Sequence, residues 1–138
     1  MKKITVIDGQ GGRMGKAIIE QLKKQLPDQE LLAIGTNSIA TAAMMKAGAD
    51  FGATGENPVI VAARDSDIII GPIGIIIADS LYGEITEAMA AAVGRSRAYQ
   101  ILMPVNRCNH HVVGCENLAM NEIIALVVKQ VEQHLKER

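Results

Sequence analysis

Lys3-Ile4-Thr5-Val6-Ile7-Asp8-Gly9-Gln10-Gly11-Gly12-Arg13-Met14-Gly15 decides how the rest of this chain reads. Lys3–Asp8 is a short β-branched run of the kind that forms a buried strand. From Arg13 to Leu26, the apolar residues Ala17, Ile18, Leu22 and Leu26 fall on one helical stripe. Between the two lie glycines at 9, 12 and 15, a G-x-x-G-x-x-G spacing, with Gly11 beside them. Gly9 permits a tight turn. Gly11 or Gly12 lets the backbone approach a phosphate with no Cβ in the way, and Gly15 lets the helix pack close on the sheet. The helix N-terminus offers unpaired N–H groups and about half a positive charge. Arg13 adds a planar fork donor suited to phosphate, and Met14 completes the loop. The pattern reads as a phosphate or dinucleotide site. The competing reading is a tight strand-to-helix turn whose glycines are purely structural.

Outward from this stretch, strands and helices alternate. Pro27-Asp28 ends the first helix. Glu30–Thr36 reads as a strand, and Ser38 caps a helix running to Ala47, with Gly48 after it. Asp50–Gly55 is a weak, glycine-broken strand. Asn57-Pro58 reads as the start of a helix that reaches Arg64. Asp67–Ile70 is a strong strand that Gly71-Pro72-Ile73-Gly74 breaks, and Ile75–Leu81 stays open between strand and helix entry. Glu84–Val93 reads as a helix ended by Gly94, Arg97–Met103 as a strand ended by Pro104, and Leu118–Leu135 as a long last helix capped by Asn117. Alternation of this kind means βαβ units. The expected fold class is α/β: one doubly wound, Rossmann-like domain over residues 1–138, with a mostly parallel sheet and helices on both faces. Ligands in such sheets bind outside the carboxyl ends of the strands, near the switch point.

Composition narrows the function classes. The 138 residues are 49% apolar and 21% charged, which excludes a disordered chain. The net charge of −1 provides no global basic field for a nucleic-acid backbone. Aromatic residues make up 2%, which excludes a base-stacking platform. The apolar run at the N-terminus breaks at Asp8, and the stretch between Asp67 and Asp79 is too short to span a bilayer. The expected location is therefore cytoplasmic, with no membrane partner and with reduced thiols at Cys108 and Cys115.

The end of the second strand reads Gly35-Thr36-Asn37-Ser38. A NAD site wants an acid there for the ribose hydroxyls, and none stands in this segment. Thr36, Asn37 and Ser38, together with Arg13, offer donors to a 2′-phosphate, so NADP is favoured over NAD. Asn37 and Ser38 also read as a plain helix cap. Gly71, after the strand that approaches the nicotinamide side in this architecture, is a further pocket candidate. A carboxylate at Asp8 would repel phosphate unless it points into the sheet or caps the loop.

Gly9-Gln10-Gly11-Gly12-Arg13-Met14-Gly15 resembles the G-x-G-G-R-M-G nucleotide loop of dihydrodipicolinate reductases. The resemblance implies that Gly12, Arg13, Met14 and Gly15 hold the pyrophosphate of NAD(P)H. It covers the first strand and helix. The catalytic residues of that family do not carry over, because Val112-Val113-Gly114-Cys115 follows His110-His111 where that family has a basic residue. As a whole, the chain is similar to a group of short bacterial Rossmann-like proteins of unknown function, which implies the fold and no activity.

Cys108, His110, His111, Cys115 and Glu116 bring zinc-type ligands within nine residues, but C-x-H-H-x3-C matches no common structural zinc signature. Metal, thiol or imidazole catalysis, and a packed or surface loop are the three readings, with the loop preferred and no metal expected. His134 reads as solvent-facing on the last helix. Asp79-Ser80 has no base near it in sequence, and Asn106-Arg107 is a weak anion candidate. The function expected is binding of a phosphate-bearing small molecule, a nucleotide or dinucleotide, with a small NADP-linked oxidoreductase as the enzyme reading. The alternative is a non-catalytic homo-oligomeric sensor or scaffold. A homodimer is expected in either case, because Ile123 beside Ile124 and Val127 beside Val128 make a stripe wider than one seam against a sheet requires.

Overall fold

The computed structural model describes residues 1–104 and 110–137. Five strands form one sheet: β1 (Ile4–Asp8), β2 (Leu31–Gly35), β3 (Phe51–Thr54), β4 (Ile68–Pro72) and β5 (Tyr99–Met103). Their order is β3-β2-β1-β4-β5, and every neighbouring pair is parallel. The helices are α1 (Arg13–Gln25), α2 (Ser38–Lys46), α3 (Glu56–Asp65), α4 (Glu87–Arg95) and α5 (Met120–Lys136), with a 3-10 turn at Ile73–Ile76. The chain winds from β1 out to β3, then crosses back and winds out again through β4 and β5. The fold is thus the doubly wound α/β class, and its switch point lies between β1 and β4.

Side-chain alternation along the strands builds two cores. Ile4, Val6, Ile68 and Ile70 face α1, α2 and α5, where Ile18, Leu22, Met44, Val127 and Val131 meet them. Ile7, Ile34 and Ile69 face the other way, against Val59, Ala62, Met89 and Val93 of α3 and α4. A strand covered on both faces carries an unbroken apolar run, which is what Ile68-Ile69-Ile70 shows.

Several boundaries differ from the sequence reading. The cap of α2 is Asn37, not Ser38: its Oδ1 accepts from the Ala40 N–H at 2.9 Å. α3 starts at Glu56, ahead of Asn57-Pro58, with Gly55 at its N-cap. Gly71 and Pro72 do not break β4 but pair with Leu102 and Met103 at its end. A Cβ on Gly71 would lie 2.5 Å from the Ile7 carbonyl oxygen, so only glycine lets β4 approach β1 there. α4 begins at Glu87, because the Thr86 hydroxyl accepts from the Met89 N–H and fixes the start. It also runs past Gly94 to Arg95. α5 begins at Met120, with Glu122 accepting from the Ala119 N–H at 3.0 Å; Asn117 lies outside it.

The stripe of α5 is also corrected. Ile123, Ile124, Val127 and Val128 are all buried within this one chain. The large apolar residues that α5 leaves exposed are Met120 and Leu126. His134 is not solvent-facing: its ring stacks on Tyr99 with centroids 4.1 Å apart and planes 4° from parallel. Gln130 donates to the Tyr99 hydroxyl at 2.8 Å, so α5 is tied to the edge strand β5 at two points. Truncating Ile124 to Ala is expected to cost about 2–5 kcal/mol in urea unfolding. Leu126→Ala is expected to stay within about 0.5 kcal/mol of wild type.

Candidate functional site

At the carboxyl end of β1 the chain must turn sharply into α1, and the turn is held by Asp8. Its Oδ1 accepts from the Gly9 N–H and its Oδ2 from the Gly15 N–H, both at 2.8 Å. The Met14 N–H also contributes to this carboxylate. The aspartate therefore caps the glycine loop from beneath and takes up donors at the start of α1 that would otherwise face a ligand. Burial pushes the Asp8 carboxyl above its ordinary range. Hydrogen bonds from Gly15, Gly9 and Met14 oppose that push, and nearby Glu84 adds to it. Gly12 turns the chain at a left-handed φ of 73°, its N–H donating to the Gly9 carbonyl at 2.9 Å.

A cavity of about 270 Å³ opens above this turn. Asp8, Gly9, Gln10, Gly11, Gly12, Arg13 and Met14 line one side of it, and Pro72, Ile73, Gly74, Ile77 and Leu81 the other. It therefore lies at the switch point, between the segments that leave β1 and β4. Arg13 is exposed at the mouth and forms no ion pair among the described residues. Gly11 is exposed, with nothing within 4 Å of where a Cβ would stand. His110 reaches the same cavity.

The remaining sequence candidates are placed differently. Gly15 and Gly71 pack helix on sheet and strand on strand, and neither lines the cavity. Thr36, Asn37 and Ser38 lie outside the lining as well. Thr36 and Asn37 are occupied by Glu84, a residue the sequence reading placed inside a helix. Glu84 Oε1 accepts from the Gln10 N–H at 2.9 Å, the Thr36 hydroxyl at 2.5 Å and the Asn37 amide at 2.9 Å. The end of β2 holds no acid of its own, as its sequence reads, but an acid reaches it from 48 residues further along the chain. Desolvation raises the Glu84 pKa, but the hydrogen bonds from Thr36, Gln10 and Asn37 outweigh it and the net shift is downward. No signal in the sequence near β2 marks this residue; only the early end of the α4 pattern, at Thr86, leaves Glu84 free to reach back.

The segment that carries Glu84 is unusual in its backbone. Asp79, Leu81 and Tyr82 have φ of 67°, 56° and 55°, and Gly83 follows at 85°. Leu81 enters the cavity wall, whereas Tyr82 is almost fully exposed. Ser80 is buried, with its hydroxyl donating to the Gly74 carbonyl, so it is committed to holding this turn.

In the histidine–cysteine segment, His111 pairs with Glu116 at 3.0 Å, away from the cavity. Glu116 also accepts from the Gly114 N–H. Cys115 is a half-buried free thiol. Among the described residues, no three His, Cys, Asp or Glu side chains gather to hold a metal ion. Cys108 and the anion candidate Asn106-Arg107 lie outside the described residues. No helix among the described residues is long and apolar enough to cross a membrane.

The chain belongs to the family described as "Domain of unknown function (DUF3842)", whose model matches residues 3–136. No protein of curated function matches it. Among solved structures it is similar to a dodecameric FMN-dependent UbiX-like decarboxylase from Escherichia coli O157:H7. That likeness has 16% identity and a TM-score of 0.44, and covers 96% of this chain and 94% of the other. Neither comparison extends the resemblance of the loop to dihydrodipicolinate reductases.

The geometry of Glu84 fixes a pH response. Its folded pKa is lowered, so its contribution to stability is full above the unfolded glutamate value near ~4.3 and is lost as pH falls through that value toward the folded one. Asp8, shifted the other way, penalises folding above its folded pKa and is relieved as pH falls. In a comparison of wild type with Glu84→Gln, Asp8 largely cancels, since the Glu84 charge is the smallest of the contributions to its shift. In chemical unfolding from pH 7 to pH 3, the stability gap between the two is expected to shrink as the solution is acidified. A gap independent of pH would show that the Glu84 charge contributes nothing.

Proposed function

We propose that this chain binds a nucleotide or other phosphate-bearing small molecule in the cavity between the glycine loop and Pro72–Gly74. The observation that carries the reading is one of position. The cavity sits at the switch point of a doubly wound sheet, where such folds bind ligands, and is walled by a glycine turn at a helix start. Gly11 and Arg13 are the groups we assign to the phosphate. Both are exposed at the cavity, Gly11 has room around it, and the Arg13 guanidinium has no ion-pair partner among the described residues.

Magnitude limits the ligand. At about 270 Å³ the cavity is just below the ~300–1,000 Å³ typical of small-molecule sites. It fits a nucleotide-sized group better than a whole dinucleotide. A dinucleotide, NAD or NADP, needs the wall formed by Ile77 and Leu81 to move or a second subunit to extend the site. The preference for NADP rested on the absence of an acid beside Thr36, and Glu84 removes that support. The oxidoreductase reading keeps one group in favour, the His110 imidazole, which lines the cavity and is the candidate proton donor.

One observation favours the non-catalytic reading. The protein's own carboxylates, Asp8 and Glu84, already take the N–H groups of Gly9, Gln10 and Gly15. A homo-oligomer belongs to both readings. With the α5 stripe buried, the surface we assign to it is the apolar groove beside β3, where Phe51 and Val61 are exposed. Light scattering at micromolar concentration is expected to give a mass of at least twice 14.7 kDa; a mass of 14.7 kDa that concentration leaves unchanged excludes the oligomer.

A thermal-shift panel of adenine mononucleotides, NAD(H) and NADP(H) tests ligand binding. A ligand at 100 times its Kd is expected to add about 2.7 kcal/mol of stability. Gly11→Val is the appropriate loop variant. Gly12 has a left-handed φ, and a Cβ there would lie 2.9 Å from the Ala40 backbone, so its substitution disturbs the fold itself. Gly11→Val and Arg13→Ala are expected to keep the stability of the free protein and lose the ligand shift. Absence of a shift with every nucleotide at millimolar concentration refutes the reading.

A further inference from the structure

We propose that Glu84 reads the sugar of the bound nucleotide: its free carboxylate oxygen accepts a ribose hydroxyl, and its charge turns away a ligand whose 2′-oxygen carries a phosphate. The inference rests on the nucleotide reading above and adds the class of nucleotide that the site accepts.

Three features of the geometry carry it. The first is how the carboxylate is held. All three hydrogen bonds, from Gln10, Thr36 and Asn37, fall on Oε1. Oε2 has no hydrogen-bond partner among the described residues, although a carboxylate oxygen can accept two. The group is thus fixed at one oxygen and open at the other, which is the arrangement a hydroxyl donor needs.

The second is where it is held. Two of the donors, Thr36 and Asn37, directly follow the end of β2, and the third belongs to the glycine loop itself. A Cβ on Gly9 would stand 2.7 Å from Oε1, so the first glycine of the loop leaves the space that the carboxylate occupies. Glu84, like Thr36 and Asn37, stands outside the cavity lining itself, against Gly9 and Gln10, which do line it. In a doubly wound sheet this edge of the loop is where the ribose next to the loop-bound phosphate comes to rest. Here the acid that meets it comes from the segment between β4 and α4 and not from β2.

The third is charge. Glu84 forms no ion pair among the described residues, and the donors that face its charge there are the dipoles of Gln10, Thr36 and Asn37. Asp8 lies close enough for Glu84 to act on its titration. A ligand with a phosphate on its 2′-oxygen would bring further negative charge against these two carboxylates, with Arg13 and His110 the basic side chains in the cavity lining among the described residues. A hydroxyl brings no charge and offers a proton.

The test is isothermal titration of the full chain with two matched pairs: adenosine 5′-monophosphate against adenosine 2′,5′-bisphosphate, and NAD against NADP. Wild type is expected to bind the 2′-hydroxyl member of each pair at least about tenfold more tightly, a difference of one charge-assisted contact. Glu84→Gln keeps an oxygen for the three donors and loses the charge. It is expected to erase most of that ratio by gaining affinity for the 2′-phosphate member. Glu84→Asp, with the charge on a shorter arm, is expected to keep the rejection of the 2′-phosphate, and it serves if the glutamine variant does not fold. Equal binding of both members by wild type, or an unchanged ratio in Glu84→Gln, overturns the proposal and leaves nucleotide binding standing. Equal tightening of both members in Glu84→Gln also overturns it, because Glu84 would then be an internal plug. Binding of neither member by wild type removes the nucleotide reading and this proposal together.

Discussion

A single buried carboxylate holds the centre of this molecule. Asp8 ends the middle strand of the sheet, and its two oxygens accept the N–H groups of Gly9 and Gly15, on either side of the glycine turn. Without an acceptor there, Gly9 and Gly15 would present buried, unpaired N–H groups on either side of the turn into α1. A hydrogen bond to a charged group contributes about 1.5–3 kcal/mol net, so the pair offsets much of the cost of burying the charge. The same bonds set the height of the loop above the sheet, and hence the floor of the cavity. They also make the loop less positive than a bare helix start, with the Arg13 guanidinium at the cavity mouth beside it.

The sheet and its winding were legible because periodicity is a local property. Ile68-Ile69-Ile70, a β-branched run ended by Gly71-Pro72, reads as a strand covered on both faces, and the stripe on α1 as a helix seated on one. Element ends were harder, since caps depend on single side chains. Asn37 and Ser38 are both good caps by type, and which one serves depends on where the backbone leaves β2. The glycine loop was legible as a turn at a helix start. Its chemistry was only half so, because the sequence order Asp8-Gly9 does not say that the carboxylate folds under the loop.

Glu84 shows where a local reading stops. It lies 48 residues from Thr36 in the chain, and no spacing rule connects the two. What brings them together is the return of the chain past the carboxyl edge between β4 and α4, through three non-glycine residues at left-handed φ. Such a backbone is costly and persists only when surrounding contacts impose it. Ser80 on the Gly74 carbonyl and Glu84 on the loop are those contacts. The α5 stripe is the opposite lesson. Its width was legible, but whether a wide stripe meets the same chain or another depends on how far α1 leaves β4 and β5 uncovered.

The strand order has a kinetic consequence. β1, β2 and β3 are consecutive in sequence and adjacent in space, so residues 4–54 can pair as they emerge. β4 must then find the open edge of β1 from more than sixty residues away, with Ile68 opposite Ile4. Pairings over such separations are the slow events of folding, because chain closure precedes any gain from contact. The glycine turn is complete in the early half of the chain, whereas Glu84, Pro72 and Gly74 arrive with the late half. A nascent or partly folded chain therefore has the turn without the opposite wall, and the cavity closes only once β4 has docked beside β1.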